Sequence, residues 1–281
     1  CLVVLGRHVE RLEFLDVILG DRPALTPVES FYQRMLAGDP DEARDQAEHL
    51  LRDRPLSSYY DEVALKGLQL AAVDAARGVL TEAQSDRIKH AFTVLMDDLD
   101  EYEDKEPKHG KAEDAAAAPP RSEQDVPKHP PPGGATPETL PPAWRGENPV
   151  LCIAGRGPLD DAASAMLAQL LQKNGLHARI VSHTAADRST IASLDVTGVA
   201  MICLCYLELS GTPSHLRYLL KRLRHHAPGA RLLVGLWPIE QQILVDDRLR
   251  SAVGADYYTS SLRETVEACL EAARSEITAA V

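Results

Sequence analysis

Val150-Leu151-Cys152-Ile153-Ala154 is an unbroken apolar run. It passes through Gly155-Arg156-Gly157 into Pro158-Leu159-Asp160-Asp161-Ala162-Ala163, where a proline and two acids mark the first turn of a helix. An apolar run that leads at once into a helix reads as a strand of a parallel sheet, covered on both faces. The pattern then repeats. Ala178-Arg179-Ile180-Val181, Val199-Ala200-Met201-Ile202-Cys203-Leu204-Cys205 and Leu232-Leu233-Val234-Gly235 read as further buried strands, with a fifth short one around Asp256-Tyr257-Tyr258. Helices are predicted near 160–174, 185–193, 213–226 and 261–275. Such a series folds as a doubly wound parallel sheet, here over 149–281, and places any ligand at the carboxyl ends of its strands.

Upstream of this stretch the composition changes twice. Glu103 to Pro149 holds eleven of the nineteen prolines, an AAAAPP stretch, a PPPGG stretch and almost no large aliphatic residue, which predicts a disordered flexible linker over 106–148. An acidic run precedes it: Asp97, Asp98, Asp100, Glu101, Glu103, Asp104 and Glu106, with Lys105 among them. It reads as a solvated, fraying helix end, with a binding tail as the alternative. Over 21–105 the helix starts have a mechanism. Thr26-Pro27-Val28-Glu29, Asp39-Pro40-Asp41-Glu42 and Thr81-Glu82-Ala83-Gln84 each place a capping side chain three residues before Glu or Gln. Apolar residues at helical spacing follow, and the reading is a small four-helix module with helices near 27–37, 40–53, 57–77 and 82–101.

The 281 residues, 44% hydrophobic and 26% charged, suffice for two modest cores and contain no apolar span of membrane-crossing length. Acidic residues outnumber basic ones 42 to 30, and the net charge of -12 disfavours whole-surface attraction to nucleic acid. With aromatics at 5%, there is little material for stacking on bases. The five cysteines form neither a CxxC pair nor a zinc spacing, so a reducing compartment is expected, with no metal.

The chain starts at Cys1, which means either a processed protein or a piece of a longer one. A lipoprotein would continue into a polar tether, whereas Leu2, Val3, Val4 and Leu5 follow here. That stub, running into Arg7, His8 and Arg11, reads as the end of a transmembrane helix leaving the bilayer on the cytoplasmic side, with a short buried strand or helix end as the alternative.

Chemistry-bearing motifs are sparse. The loop with Gly155 and Gly157 lacks the third glycine of a dinucleotide fingerprint and the Lys-Ser/Thr of a P-loop, so it reads first as a plain βα turn capped by Asp160 or Asp161. A phospho-acceptor receiver is set aside, because Cys205-Tyr206 and Tyr258-Thr259 stand where its aspartate and lysine would be. Cys203 and Cys205, at period two, share a sheet face and read as small apolar residues. His225-His226 closes a helix carrying Arg217, Lys221, Arg222 and Arg224, a solvated basic face or a docking surface for the acidic run or for lipid headgroups. No nucleophile elbow, zincin helix or calcium loop occurs, and no catalytic residue is assigned.

Two resemblances add to this. CLVVLGRHVERLEFLDVILGD, with FYQRMLAGDPDEA and YYDEVALKGLQLA after it, resembles the membrane exit and long cytosolic extension of autoinducer-2 exporter family permeases. The last two phrases and the 149–281 segment are also similar to the helical and Rossmann-like modules of cobalamin-binding proteins. Counting back from Gly175, that family's DxHxxG motif falls on Pro158 to Ala163. Asp160 replaces its cobalt-ligating histidine, Cys205 replaces the serine ending the third strand, and the paired glycines appear as Gly235-Leu236. The cap pattern of Trp and Glu-His falls on Ala75, Ser85 and Asp86.

The resulting expectation is an α/β chain of four parts. Residues 1–20 form a membrane exit segment, 21–105 a helical module, 106–148 a flexible linker and 149–281 a Rossmann-like, cobalamin-binding-like domain. It is read as the non-catalytic regulatory or sensing extension of an inner-membrane permease, facing the cytoplasm and without a cofactor. Its partners would be the permease domain, a small-molecule or protein regulator, and the membrane at the N-terminal stub alone. Alternatives are a corrinoid-binding sensor or carrier and an enzyme with a scattered site. Gly155, Gly157, Asp160, Asp161, Cys205 and Gly235 are the candidate ligand-binding residues, and side chains are expected to close the corrinoid groove, with Leu236 filling the tail channel and Asp160 capping the helix.

Overall fold

The computed structural model describes residues 25–107, 125–185, 190–207, 213–237 and 253–279. Segment 1–20, the basis of the membrane-exit reading, lies outside them. Among the described residues no helix is long and apolar enough to cross a membrane.

The helical module begins where its capping motifs stand. In α1, Pro27–Ala37, Thr26 Oγ1 accepts from the Glu29 amide at 3.2 Å and the Glu29 carboxylate accepts from the Thr26 amide at 2.8 Å. Asp39 caps α2, Pro40–Leu51, by accepting from the Glu42 amide. Farther along, Thr81 and Gln84 repeat the reciprocal box at the start of α5, Glu82–Asp98. The helix predicted over 57–77 is interrupted. Helix α3, Leu56–Tyr59, passes through a π-helical turn, Tyr60–Ala64, into α4, Leu65–Ala76. Such a turn inserts an extra residue and re-aims its side chains. Here they are the buried Tyr60, Asp61 and Glu62.

The second module is a parallel sheet. Its strands β1 (Val150–Ala154), β2 (Ala178–Val181), β3 (Met201–Tyr206), β4 (Arg231–Leu236) and β5 (Tyr257–Thr259) lie in the order β2-β1-β3-β4-β5. All four pairings are parallel among the described residues, so the sheet is doubly wound with its switch point between β1 and β3. Cys152, Cys203, Cys205 and Leu233 face α6, Pro158–Lys173, and α8, Leu262–Ala279. Leu151, Ile153, Ile202, Leu204 and Val234 face α7, Pro213–His226, through its Leu216, Leu220 and Leu223. The helix predicted over 185–193 is absent from the described part of that stretch, which holds a 3₁₀ turn, Ile191–Ser193. Thr190 Oγ1 donates to the Ala185 carbonyl and Ser193 Oγ to the Thr190 carbonyl, and such hydroxyl bonds compete with helix formation.

The core does not divide with the composition. Phe31, Tyr59, Leu68 and Phe92 of the helical module belong to the same buried cluster as Cys152, Met166, Leu170 and Val266 of the sheet domain. One continuous core therefore serves both modules.

The expectation of a disordered linker also needs correction. Residues 108–124 lie outside the described part, but 125–148 form an ordered strap across both modules. The wholly buried Arg54 donates to the Leu50 and Val126 carbonyls, and the His129 amide donates to Ser58 Oγ. At the other module the Ala135 amide donates to the Asn174 carbonyl at 2.9 Å, and Trp144 Nε1 donates to the Glu276 carboxylate at 3.0 Å. Average composition concealed three buried anchors: Val126, Leu140 and Trp144. The prolines between them restrict the unfolded chain and so lower the entropy lost on ordering.

Gly175 shows how tightly the strap is seated. It has φ of +84°, and a Cβ there would stand 2.0 Å from the Ala135 carbonyl oxygen. Gly175→Ala is expected to lose about 2 kcal/mol, from the left-handed backbone cost together with displacement of the strap. Urea unfolding checks this, and a loss below about 0.5 kcal/mol would contradict the seating.

Candidate functional site

At the switch point the loop after β1 meets the end of β3, and Asp160 in the first turn of α6 joins them. Its Oδ2 accepts from the Arg156 amide at 2.7 Å and the Gly157 amide at 3.1 Å, and its Oδ1 accepts from the Leu207 amide at 2.9 Å. Burial pushes its pKa above the usual carboxylate value, and the three amides oppose that rise. The expected capping role is present, since Gly157 is the N-cap of α6. The carboxylate also braces the β3 loop. Both of its oxygens thus accept from backbone donors of this chain.

Glycines mark where aromatic rings stand against the backbone. A Cβ on Gly155 would stand 2.6 Å from Tyr206 Cδ1 and 2.7 Å from Asp160 Oδ2, and one on Gly235 would stand 2.6 Å from Trp237 Cζ2. Close approach thus requires glycine at both positions, but the approaching group is a ring of this chain. Gly157 differs, since a Cβ there would meet nothing within 4 Å. Cys205 pairs in register with Ala154 and Gly235, and burial pushes its thiol up to about 12.

Leu236 does not fill the tail channel as the sequence suggested. Successive residues of a strand point to opposite faces, so Leu236 joins Leu232 and Val234 on the α7 side, and Trp237 is the residue over Gly235. Trp237 is 1% exposed, and its carbonyl accepts from Gln69 Nε2 of α4 at 2.6 Å. Through this contact the helical module reaches the end of β4.

No protein-family model and no curated protein matches the chain. A solved structure of a cobalamin-binding protein from Desulfitobacterium hafniense DCB-2 is similar to it over 86% of this chain and 97% of that one, at 12% identity and a TM-score of 0.36.

Asp161 belongs to a second cluster. Lys89 Nζ of α5 lies 2.6 Å from its Oδ2, and the His183 amide and Nδ1 are each 2.8 Å from the carboxylate. Burial is the largest influence on its pKa and raises it, but Lys89 and His183 together outweigh burial and hold it below the usual value. The carboxylate therefore stays ionised and ties α5, α6 and the end of β2 together. Beside it a groove of about 820 Å³ runs between α5, α6 and β2, floored by Phe92, Met96, Ala165, Ala168 and Ile180. Sequence reasoning reached Asp161 but neither Lys89 nor His183. The three come from separate elements, so no spacing connects them.

More carboxylates span the modules. Asp61 Oδ1 accepts from the Leu262 amide at 2.7 Å and its Oδ2 from the Arg263 amide at 3.1 Å, capping α8 from the opposite module. Asp104 accepts from the Ser57 amide and from Asn174 Nδ2, at 2.8 and 2.9 Å. Asp100 pairs with Lys173. The acidic run is therefore not wholly a solvated end, because Asp104 is buried at the junction. Among the described residues no group of three or more His, Cys, Asp or Glu could hold a metal ion.

Proposed function

We propose that this chain is a non-catalytic sensing or regulatory pair of modules, in which the helical module is latched onto α6, α8 and the end of β4. The observation that carries the reading is Asp160. The residue at the position of the cobalt-ligating histidine is engaged by three backbone amides, while Tyr206 and Trp237 occupy the space above the neighbouring glycines. A ligand or partner would act by shifting the latch made by Gln69 with Trp237, Lys89 with Asp161, and Asp61 with α8. Attachment to an inner-membrane permease, with these modules on the cytoplasmic side, is supported by the sequence of residues 1–20. The coding sequence ahead of Cys1 tests it, with several apolar spans expected; a lipoprotein signal there would overturn it.

The second reading, a corrinoid-binding sensor or carrier, is supported by a helical module that packs on one face of a doubly wound sheet and reaches the end of β4 through Gln69 and Trp237. Binding would have to proceed without a histidine from Asp160's position and with Trp237 and Tyr206 displaced. Mixing the protein with hydroxocobalamin or adenosylcobalamin, followed by gel filtration and visible spectroscopy, decides between the two. No stoichiometric corrinoid is expected to co-elute, because an apolar wedge favours the closed state. Stoichiometric corrinoid co-eluting with the protein would favour the second reading.

A further inference from the structure

The chain carries a net charge of -12, yet α7 contains no Asp or Glu and holds Arg217, Lys221, Arg222 and Arg224 together with His215, His225 and His226. Leu216, Leu220 and Leu223 are buried against the sheet, so helical periodicity turns the basic side outward. His215, Tyr218, Lys221 and His225 are exposed there, and the Arg217 guanidinium stands 5.6 Å from the centre of the Tyr218 ring. Tyr218 is 58% exposed, so its ring stands at the surface among these cations. Arg224 is partly neutralised by Asp256 at 3.1 Å. The exposed Arg156, from the loop after β1 at the carboxyl end of the sheet, lies close enough to His215 that burial and this cation together lower the imidazole's pKa.

We propose that this outer face of α7 is a docking surface for anionic phospholipid membrane. A helix ridge with cations spaced along one side meets a plane of headgroups more readily than it encloses a peptide, and Tyr218 offers the amphipathic ring that favours the headgroup level. The chain's acidic excess is no obstacle, because charges more than about 10 Å from the bilayer are screened at physiological salt. The face lies on the opposite side of the sheet from the helical module, so docking leaves the latch uncovered. The contact would be weak and orienting, as a few surface cations supply only a modest affinity.

The test uses the full chain with sedimented vesicles of phosphatidylcholine alone or with about 30% phosphatidylserine, a content that makes the surface negative. Phosphatidylserine vesicles are expected to pellet roughly fivefold more protein, and 0.5 M salt is expected to abolish the difference. Lys221→Glu, at an exposed position, and the double variant Arg217→Glu/Lys221→Glu should lose the excess while unfolding at the wild-type temperature. Lys105→Glu, distant in sequence and exposed, should keep it. Equal pelleting on both vesicles, or an excess unchanged by Lys221→Glu, would overturn the proposal. So would charge-dependent capture of polyglutamate or duplex DNA without any preference for phosphatidylserine.

Discussion

Trp144→Ala is expected to destabilise the protein by about 3–5 kcal/mol, the range for deleting a fully buried large aromatic side chain. Trp144 is wholly buried, and its indole N–H is satisfied by Glu276 of α8, so the substitution removes both packing and a charge-assisted hydrogen bond. The strap holds few other large apolar side chains, and Leu140 alone cannot refill the space. Urea unfolding should show the midpoint falling sharply. Limited proteolysis under native conditions should cut the variant within 125–148 and leave that stretch of the wild type intact. A loss below about 1 kcal/mol, with the cleavage pattern unchanged, would mean that the strap rests on the surface without contributing to the core.

Asp61→Ala should cost about 2–4 kcal/mol, the sum of a lost N-terminal cap and of one buried and one half-buried amide left without acceptors. The loss should depend on pH, and the sign can be worked out. Burial, opposed by the Arg263 and Leu262 amides, pushes Asp61 up to about 6 from an unfolded value of 3.8. The folded state therefore holds this proton more tightly than the unfolded state does. The stabilisation from that difference is fully present below pH 3.8 and is lost as the pH rises through about 6. Wild type minus variant should thus be larger at pH 5 than at pH 8, by about 1 kcal/mol. Unfolding curves at the two pH values measure this. An equal or reversed difference would show that the amides of α8 prefer the charged carboxylate strongly enough to override desolvation.

What could be read from the sequence, and what could not, follows the range of the interactions involved. The boxes at Thr26 and Thr81 are closed by residues three positions away, so both helix starts stood in the sequence as they stand in the fold. The strands were legible because apolar runs have few other uses in a chain this polar. Trp237 is not legible in the sequence because a side chain folding back over Gly235 leaves no periodic trace, and the adjacent Leu236 is turned away by its parity. The strap was misread because average composition does not register three anchors, and Trp144 alone outweighs many small polar neighbours. Asp61, Lys89 and His183 became visible only once separate elements had been brought together.

Asp61 and the Leu262 amide it caps are 201 residues apart in the chain. On the ribosome the helical module therefore emerges long before the surface that completes it. Tyr59, Tyr60 and Val63 belong to a core whose other wall, including Val266 and Leu270, is translated about 200 residues later. Until α8 is made, the nascent module carries an apolar face without a partner and carboxylates waiting for their amides. It has to be shielded during that interval or fold only loosely, and a stop codon ahead of α8 would leave even its own earlier helices without a finished interior.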